Sequence, residues 1–232
     1  VSMYAEILER TDNFQLLKTL DEPELGNPFI IHHKGRRISQ DLCNSIHEFY
    51  SILGHGRYLP ESNSFCEIGA GYGRLANVIL RTIPNVKYCI IDIQPALSVS
   101  ERYLTTLFPD LPTFKFRSFD SYTSIAHEFE TARIQFLSPE QTELIPKKSF
   151  DYFISISSLH EMTKAQVTDY FNLIHLLCRG HFYTKQWKVS RAQINDCTFN
   201  EHDYPVPSTW QTIYHRQHPI QRMFFHALYK VT

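Results

Sequence analysis

Glycine is scarce in this chain, neither sign of charge is in excess, and no apolar run is long. The 232 residues include only 8 glycines, and 23 Lys and Arg residues against 24 Asp and Glu residues leave a formal net charge of −1. A near-neutral balance argues against a dedicated nucleic-acid binder, which usually carries a basic excess. No apolar stretch reaches the roughly 18 residues that a membrane span needs. We therefore expect no nucleic acid and no membrane among the partners.

Cysteine is also sparse and unpatterned. The five cysteines are scattered and no CxxC pair occurs, which argues against a structural zinc site and a disulfide framework. Cys66 and Cys89 lie in apolar, strand-like runs, and this pattern predicts buried free thiols. With no recognisable signal peptide, the cysteine usage favours a reducing, cytoplasmic compartment.

What the chain does have is a regular alternation of strands and helices after residue 63. Apolar strand-like runs alternate with helical periodicity, which predicts a parallel sheet with right-handed crossovers. Two further runs, Trp210–Arg216 and Met223–Val231, are too close together for a helical crossover and predict an antiparallel hairpin. The predicted strands before the hairpin cover Phe65–Ile68, Lys87–Ile93, Thr113–Arg117, Arg133–Leu137, Phe150–Ser157 and Gly180–Trp187.

The residues before this alternation form a separate segment. Helical spacing of apolar residues predicts one or two helices within residues 1–25, followed by a loop over residues 26–37. Ser39 is a good N-cap for a helix from about Gln40 to Leu53, and residues 54–63 have the composition of a turn. We therefore divide the chain into an N-terminal helical or lid extension (1–63) and a main domain (64–232).

Three of the eight glycines fall within five positions, in the segment FCEIGAGYGRL from Phe65 to Leu75. A buried strand leads into a glycine turn and then a helix, whose N-terminus offers backbone N–H groups and a positive dipole end to a ligand. A dinucleotide fingerprint, GxGxxG, needs glycine at position 74, but that residue is Arg74 and the third glycine comes one residue early. Glu67 beside the turn repels a pyrophosphate and suits a cation, such as the amino group or sulfonium of S-adenosylmethionine.

Asp92 ends the second strand, 19 residues after Gly73. An acid at this position accepts hydrogen bonds from ribose hydroxyls, in NAD and in S-adenosylmethionine alike, so by itself it does not choose between them. Its other interpretation is a strand-end or helix-cap residue.

With these residues the sequence resembles the class I S-adenosylmethionine-dependent methyltransferases, from about Ser64 to Val231. The resemblance rests on EIGAGYG, on the acid in CIIDI and on the terminal hairpin. Within the class, the segments GNPF, ISSLHEM, KQW and DYPVPSTW are similar to a family of bacterial sugar O-methyltransferases. The resemblance implies an α/β fold with a doubly wound, mostly parallel seven-stranded sheet and a C-terminal antiparallel hairpin, here with an N-terminal helical extension.

In that fold the donor, S-adenosyl-L-methionine, lies outside the carboxyl ends of the strands. Ser118 and Phe119, after the third strand, are assigned to the adenine, with an ordinary loop as the alternative. The donor-binding residues that the resemblance implies are Glu67, Gly69, Ala70, Gly71, Tyr72, Asp92, Ile93, Ser118, Phe119 and Ser157.

His160 and Glu161 follow the predicted strand Phe150–Ser157, at the edge that faces donor and acceptor in the resembled fold. A histidine there can take a proton from a hydroxyl as the methyl group arrives. Glu161 can orient that histidine, act as the base itself or ligate a divalent metal. The alternative is that both residues only open the following helix. We predict His160 as the catalytic base, together with Glu161.

The acceptor and the metal requirement are less constrained. The predicted strand Gly180–Trp187 ends in Lys185, Gln186 and Trp187, which we expect to face the acceptor side. A long loop over residues 196–209 precedes the hairpin. Some related sugar methyltransferases use Mg²⁺, but no compact carboxylate cluster supports one here, and no metal ligand is predicted. The expected partner is a small-molecule acceptor, a sugar or glycosylated compound. The aromatic hairpin is either core or the surface of a homodimer.

Two other function classes stay open. An NAD-dependent oxidoreductase shares the strand–turn–helix unit, although the early third glycine, Glu67 and the hairpin count against it. A non-catalytic donor-binding domain that serves a larger assembly has the same motifs.

Overall fold

Apolar strands alternating with amphipathic helices build a central sheet with helices on both faces. The computed structural model describes residues 1–54, 63–192 and 197–232, so most of the turn predicted over 54–63 lies outside the described residues. The strands are β1 (Ile31–His33), β2 (Arg36–Ile38), β3 (Ser64–Ile68), β4 (Lys87–Ile91), β5 (Thr113–Phe114), β6 (Ile134–Leu137), β7 (Phe150–Ile156), β8 (Cys178–Trp187), β9 (Val189–Ala192), β10 (Cys197–Asn200), β11 (Gln211–Gln217) and β12 (Phe224–Lys230). The α-helices are α1 (Ser2–Glu9), α2 (Leu16–Thr19), α3 (Gln40–Leu53), α4 (Arg74–Thr82), α5 (Ala96–Leu107), α6 (Tyr122–Thr131) and α7 (Lys164–Leu177), and 3₁₀ turns cover Pro139–Leu144 and Leu159–Glu161.

The main sheet confirms the predicted fold class. Its strand order is β11-β12-β8-β7-β3-β4-β6-β5. The pairs from β8 to β5 are parallel, whereas β12 runs antiparallel to both β8 and β11. The order reverses at β3, which lies between β4 and β7, and a reversal of this kind opens a crevice at the carboxyl ends of the strands.

Within the described residues the sheet has eight strands, as many as the strand-like runs of the sequence and one more than the resemblance implied, and its outer edge differs from the prediction. Of the predicted strand Thr113–Arg117, only β5 pairs, and it pairs with β6 at the edge of the sheet. The strand beside β4 is β6, because Ile134, Phe136 and Leu137 are fully buried while residues 115–117 are exposed. The apolar Phe116 suggested a longer strand, but it is 37% exposed.

Two predicted loops contain hairpins. Within residues 26–37, β1 pairs with β2 across a turn at Lys34 and Gly35, whose φ angles of 50° and 81° suit a two-residue hairpin turn. The predicted loop over 196–209 begins with β10, which pairs with β9 directly after β8. Both hairpins are rich in polar residues, so their sequences lack the apolar alternation by which strands are recognised.

The core lies in two clusters, one on each face of the sheet. Side chains from α3, α4 and α5 pack on one face, and side chains from α6 and α7 pack on the other. Tyr4 and Leu8 of the N-terminal extension join the first cluster, which also contains Tyr88 and Ile90 of β4. The extension therefore shares its core with the sheet.

The second cluster also explains the cysteines and the C-terminal hairpin. Cys66 and Cys89 are buried free thiols, as predicted. Phe225 and Tyr229 of β12 are 1% and 3% exposed, so these two aromatic residues belong to the core. Every helix within the described ranges is too short or too polar to cross a membrane.

Ser39 joins α3 to the chain that precedes it in the extension, and its loss is expected to destabilise the protein. Its Oγ accepts from the Leu42 N–H at 2.9 Å, as the predicted N-cap does, and donates to Glu22 Oε2 at 2.5 Å. Ser39→Ala is expected to lower the free energy of unfolding by about 1–2 kcal/mol, which urea titration measures. Ser121→Ala is the matched control, because Ser121 precedes α6 without capping it. Equal losses in the two variants would contradict this account of Ser39.

Candidate active site

The glycine turn connects β3 to α4 with an unusual backbone. Gly69, Gly71 and Gly73 have φ angles of 70°, 58° and 90°, a region in which side chains are disfavoured. A Cβ at Gly69 would lie 2.1 Å from the Oγ of Ser158, so the turn closes tightly on the segment after β7. A Cβ on Gly71 would meet no atom within 4 Å, so the backbone there faces open space. Ala70, between them, is 9% exposed.

Asp92 is linked directly to this turn. The Gly69 N–H donates to the carbonyl of Ile91, the residue before Asp92, at 3.0 Å, and the half-buried Asp92 carboxylate accepts from the Ile93 N–H at 2.8 Å. Burial and the nearby Glu161 carboxylate raise the pKa of Asp92, whereas the N–H groups of Ile93 and Gly71 lower it. Ile93, which follows it, is 64% exposed and offers an apolar surface beside the acid. The structure thus brings together the two motifs that the sequence analysis singled out.

Glu67 is buried beneath the turn. It is 3% exposed, and its Oε2 accepts a hydrogen bond of 2.6 Å from the hydroxyl of Tyr88. Burial raises the pKa of Glu67 to about 7, while the Tyr88 hydroxyl and the nearby Arg74 guanidinium hold it down. A carboxylate in this position costs stability when ionised, and no cation of the described residues forms an ion pair with it, unlike Glu48 below.

We expect Glu67→Gln to stabilise the protein at alkaline pH. In the folded protein the pKa of Glu67 is about 7, whereas in the unfolded chain it is near 4.5. The contribution of Glu67 to stability therefore falls as the pH rises from about 4.5 through about 7. Because one pKa unit corresponds to about 1.4 kcal/mol, a rise from 4.5 to about 7 means that the variant should gain roughly 3 kcal/mol at pH 8 and less than about 1 kcal/mol at pH 5. Urea unfolding at both pH values measures this. Glu128→Gln, at an exposed carboxylate, serves as the control, and a pH-independent effect of Glu67→Gln would contradict the assignment.

Arg74, at the start of α4, anchors the turn to α3. Its guanidinium donates to Glu48 Oε2 at 2.5 Å and Oε1 at 3.0 Å, and the ammonium of Lys185 donates to Glu48 Oε1 at 2.9 Å. Burial alone would raise the pKa of Glu48, but the two cations lower it to about 2. The predicted position of Lys185 on the acceptor side is therefore not what the structure shows, because its ammonium is buried against α3.

Tyr72 faces a pocket between the extension and α5. Its hydroxyl donates to Asp41 Oδ2 at 2.9 Å, and its ring lies edge-on to Tyr103 with centroids 5.0 Å apart. The pocket has a volume of about 560 Å³, and Glu22 and Leu25 of the extension form part of its wall. The extension thus closes one side of the region around the turn.

His160 and Glu161 occupy the 3₁₀ turn that follows β7, and they point apart. His160 is 6% exposed, and its Nδ1 lies 2.9 Å from Gln186 Oε1, whereas Glu161 is exposed. The predicted pairing of His160 with Glu161 is thus replaced by a pairing with Gln186, because adjacent side chains of a 3₁₀ turn project about 120° apart. Sequence reasoning placed Gln186 on the acceptor side but gave it no role.

The backbone before His160 is also unusual. Ser157 has a φ of 54°, a left-handed conformation that is uncommon for residues other than glycine. Its N–H donates to the carbonyl of Lys185 at 2.8 Å, which holds the end of β7 against β8. Such a conformation persists where the surroundings impose it, and it is frequent at functional sites.

Ser118 and Phe119 lie farther out than the sequence implied. They follow β5, and β6 stands between β5 and β4. Phe119 packs edge-on against Phe114 at 6.0 Å, and Ser118 is exposed. The segment adjoining Asp92 is instead the end of β6, where the Leu137 carbonyl accepts from the Asp92 N–H at 3.3 Å. The adenine contacts of Ser118 and Phe119 stay a prediction.

No group of three or more His, Cys, Asp or Glu side chains in the described parts of the chain is arranged to hold a metal ion. Asp151 of β7 accepts a hydrogen bond from the Ser64 hydroxyl. It also forms an ion pair of 2.6 Å with Arg179 at the start of β8. These contacts assign Asp151 a structural role.

Several solved structures share this architecture. An S-adenosylmethionine-dependent methyltransferase from Aquifex aeolicus aligns with a TM-score of 0.52 at 13% identity, over 95% of this chain and 99% of that one. The PH0226 protein from Pyrococcus horikoshii OT3 aligns with a TM-score of 0.52 at 12% identity, over 84% of this chain and 92% of that one. The mitomycin 7-O-methyltransferase MmcR aligns with a TM-score of 0.50 at 11% identity, over 73% of this chain and 49% of the MmcR chain.

These similarities show that the chain has the class I methyltransferase fold. No protein-family model matches the sequence, and no curated protein matches it. At such low identities the shared fold carries no substrate with it, so activity has to be argued from the site.

Proposed function

We propose that this chain is an S-adenosylmethionine-dependent methyltransferase that acts on a hydroxyl group of a sugar or glycosylated small molecule. The observation that carries the proposal is the junction of the glycine turn with the end of β4, where the Gly69 N–H donates to the Ile91 carbonyl at 3.0 Å and Asp92 follows directly. It lies at the sheet's switch point, where α/β folds bind ligands. His160 follows the neighbouring strand β7 and supplies a candidate base.

The residues around the turn fit the donor's chemistry. Gly71 exposes its backbone to open space, and Asp92 keeps acceptor capacity for ribose hydroxyls beyond the Ile93 N–H that it already binds. Exposed Ile93 offers an apolar face to a purine. Glu67, whose pKa is raised to about 7, places negative potential under the turn in its ionised form, which favours a cation and disfavours a pyrophosphate. This last feature weighs against the alternative, an NAD-dependent oxidoreductase.

When bound, the donor supplies an activated methyl group on its sulfonium. The protein then has to position the acceptor and remove one proton. In the proposed reaction His160 accepts the hydroxyl proton through Nε2, while Gln186 holds Nδ1. Glu161 is exposed and hydrated, so it has less to contribute as a base. A hydroxyl acceptor follows from the need for this base, and a sugar follows from the resemblance described above.

A methyl-transfer assay tests the proposed function. The full chain is incubated with S-adenosylmethionine carrying a deuterated methyl group and a panel of sugars and glycosides, and products are analysed by mass spectrometry. We expect one labelled methyl group on a hydroxyl of at least one acceptor, with activity retained in a chelator. Binding of S-adenosylhomocysteine without transfer to any member of a broad panel would favour a non-catalytic donor-binding domain instead.

A further inference from the structure

Gln186, near the end of β8, is fully buried and holds a fixed orientation. Its Nε2 lies 3.1 Å from the Ser155 carbonyl, 3.3 Å from Ser155 Oγ and 3.1 Å from Thr184 Oγ1. A backbone carbonyl can only accept, so the atom that faces it is the amide nitrogen. The amide oxygen therefore points to the other side, where His160 lies.

This orientation decides which nitrogen of His160 carries the proton. Gln186 Oε1 is an acceptor with no hydrogen of its own, and it lies 2.9 Å from His160 Nδ1. The hydrogen bond requires a proton on Nδ1, and a neutral imidazole with Nδ1–H has a free lone pair on Nε2. No described residue hydrogen-bonds to His160 Nε2.

Further contacts restrict the orientation of the His160 side chain. The imidazole lies edge-on to Trp187 with centroids 6.4 Å apart, and the His160 carbonyl accepts from Ser190 Oγ of β9 at 3.4 Å. Glu161, its sequence neighbour, is exposed. Gln186 is thus the group that faces Nδ1.

We propose that Gln186 is the positioning residue of this site, which fixes the Nδ1–H tautomer of His160 and leaves Nε2 free to accept the proton of the acceptor hydroxyl. The inference rests on the proposed function for its catalytic consequence, while the tautomer itself is independent of activity. A neutral amide, unlike the carboxylate found beside many catalytic histidines, holds the ring without strengthening it as a base.

The tautomer is tested by NMR on the full chain labelled with ¹⁵N-histidine. Subtracting the spectrum of His160→Ala identifies the signals of His160 among the 12 histidines. We expect a protonated Nδ1 and an unprotonated Nε2 in the wild-type protein, and a mixture of both tautomers in Gln186→Met, which keeps the volume and loses the acceptor. A protonated Nε2 in the wild-type protein would overturn the proposal, whatever the activity.

The catalytic consequence is tested by pH-dependent kinetics of two variants. Gln186→Met should lower kcat at least tenfold with little change in KM, since second-sphere partners of this kind are worth about 10–100-fold. Gln186→Glu should recover part of kcat and move the acidic limb of the kcat profile to higher pH, because a carboxylate favours the imidazolium.

A matched control separates this role from loss of a buried amide. Gln135 of β6 is 3% exposed, and its amide donates to the Phe129 carbonyl at 2.6 Å, away from His160. Gln135→Met and Gln135→Glu should leave the pH profile unchanged. If the Gln186 variants keep wild-type kcat and pH profile, Gln186 is only structural, and the methyltransferase assignment stands without it. If no variant and no wild-type protein transfers methyl groups, the proposed function fails while the NMR result still decides the tautomer.

Discussion

Gly69→Ala should lower donor affinity by a factor of about 100 or more and destabilise the fold. The added Cβ would lie 2.1 Å from Ser158 Oγ and 2.5 Å from Ser158 Cβ, at a φ of 70° that disfavours any side chain. The left-handed conformation costs about 1–2 kcal/mol, and forcing an extra carbon into a closed contact costs about 1–3 kcal/mol. Calorimetry with S-adenosylhomocysteine and urea unfolding measure the two effects.

The contact with Ser158 makes this prediction specific. In the double variant Gly69→Ala, Ser158→Gly, the nearest remaining atom is the Cα of residue 158 at 3.9 Å, an ordinary contact. The double variant should therefore regain most of the stability and keep only the backbone strain. Gly35→Ala has a similar φ of 81° and no neighbour within 4 Å, so it reports the strain alone. If Gly69→Ala behaves like Gly35→Ala, the close approach of the turn to Ser158 is not important.

His160→Ala should lower kcat by about 10²–10⁴-fold, the usual contribution of a positioned general base. Donor affinity should change little, because the proposed donor site is centred on the glycine turn and on Asp92, directly after β4. Steady-state kinetics with the acceptor found in the panel, together with calorimetry for S-adenosylhomocysteine, separate the two effects.

Glu161→Gln is the comparison for this variant, because Glu161 is the other candidate base and neighbours His160 in sequence. We expect it to retain turnover within a few-fold of the wild-type protein, since its carboxylate is exposed while the His160 imidazole is buried and held by Gln186. A large loss in Glu161→Gln with wild-type turnover in His160→Ala would reverse the assignment of the base.

Much of the fold could be predicted from sequence because its signals are local. The glycine turn, the boundaries of α3 and the C-terminal hairpin depend on backbone conformation, capping and spacing within a few residues, and the structure has them where expected. The outer edge of the sheet was not predictable in this way. Whether Thr113–Arg117 or β6 pairs with β4 depends on which run is buried, and burial is decided by the packing of α5 and α6.

In the site, too, local signals were predictable from sequence and long-range packing was not. The closeness of the glycine turn to Asp92 was foreseeable. Parallel strands end at one edge of the sheet, and the two motifs follow the ends of the neighbouring strands β3 and β4. The partner of His160 was not foreseeable, since Gln186 is 26 residues away and its side-chain direction follows from the register between β7 and β8. Lys185 next to it points to the opposite face and pairs with Glu48, which only the alternation along β8 explains.

We propose that the glycine turn and Asp92 bind S-adenosylmethionine rather than a dinucleotide. The most direct measurement is isothermal calorimetry of the full chain with S-adenosylhomocysteine and with NAD, repeated on Asp92→Asn. We predict binding of S-adenosylhomocysteine, at least tenfold weaker binding in the variant, and no binding of NAD. Tight binding of NAD with no binding of S-adenosylhomocysteine would contradict the account.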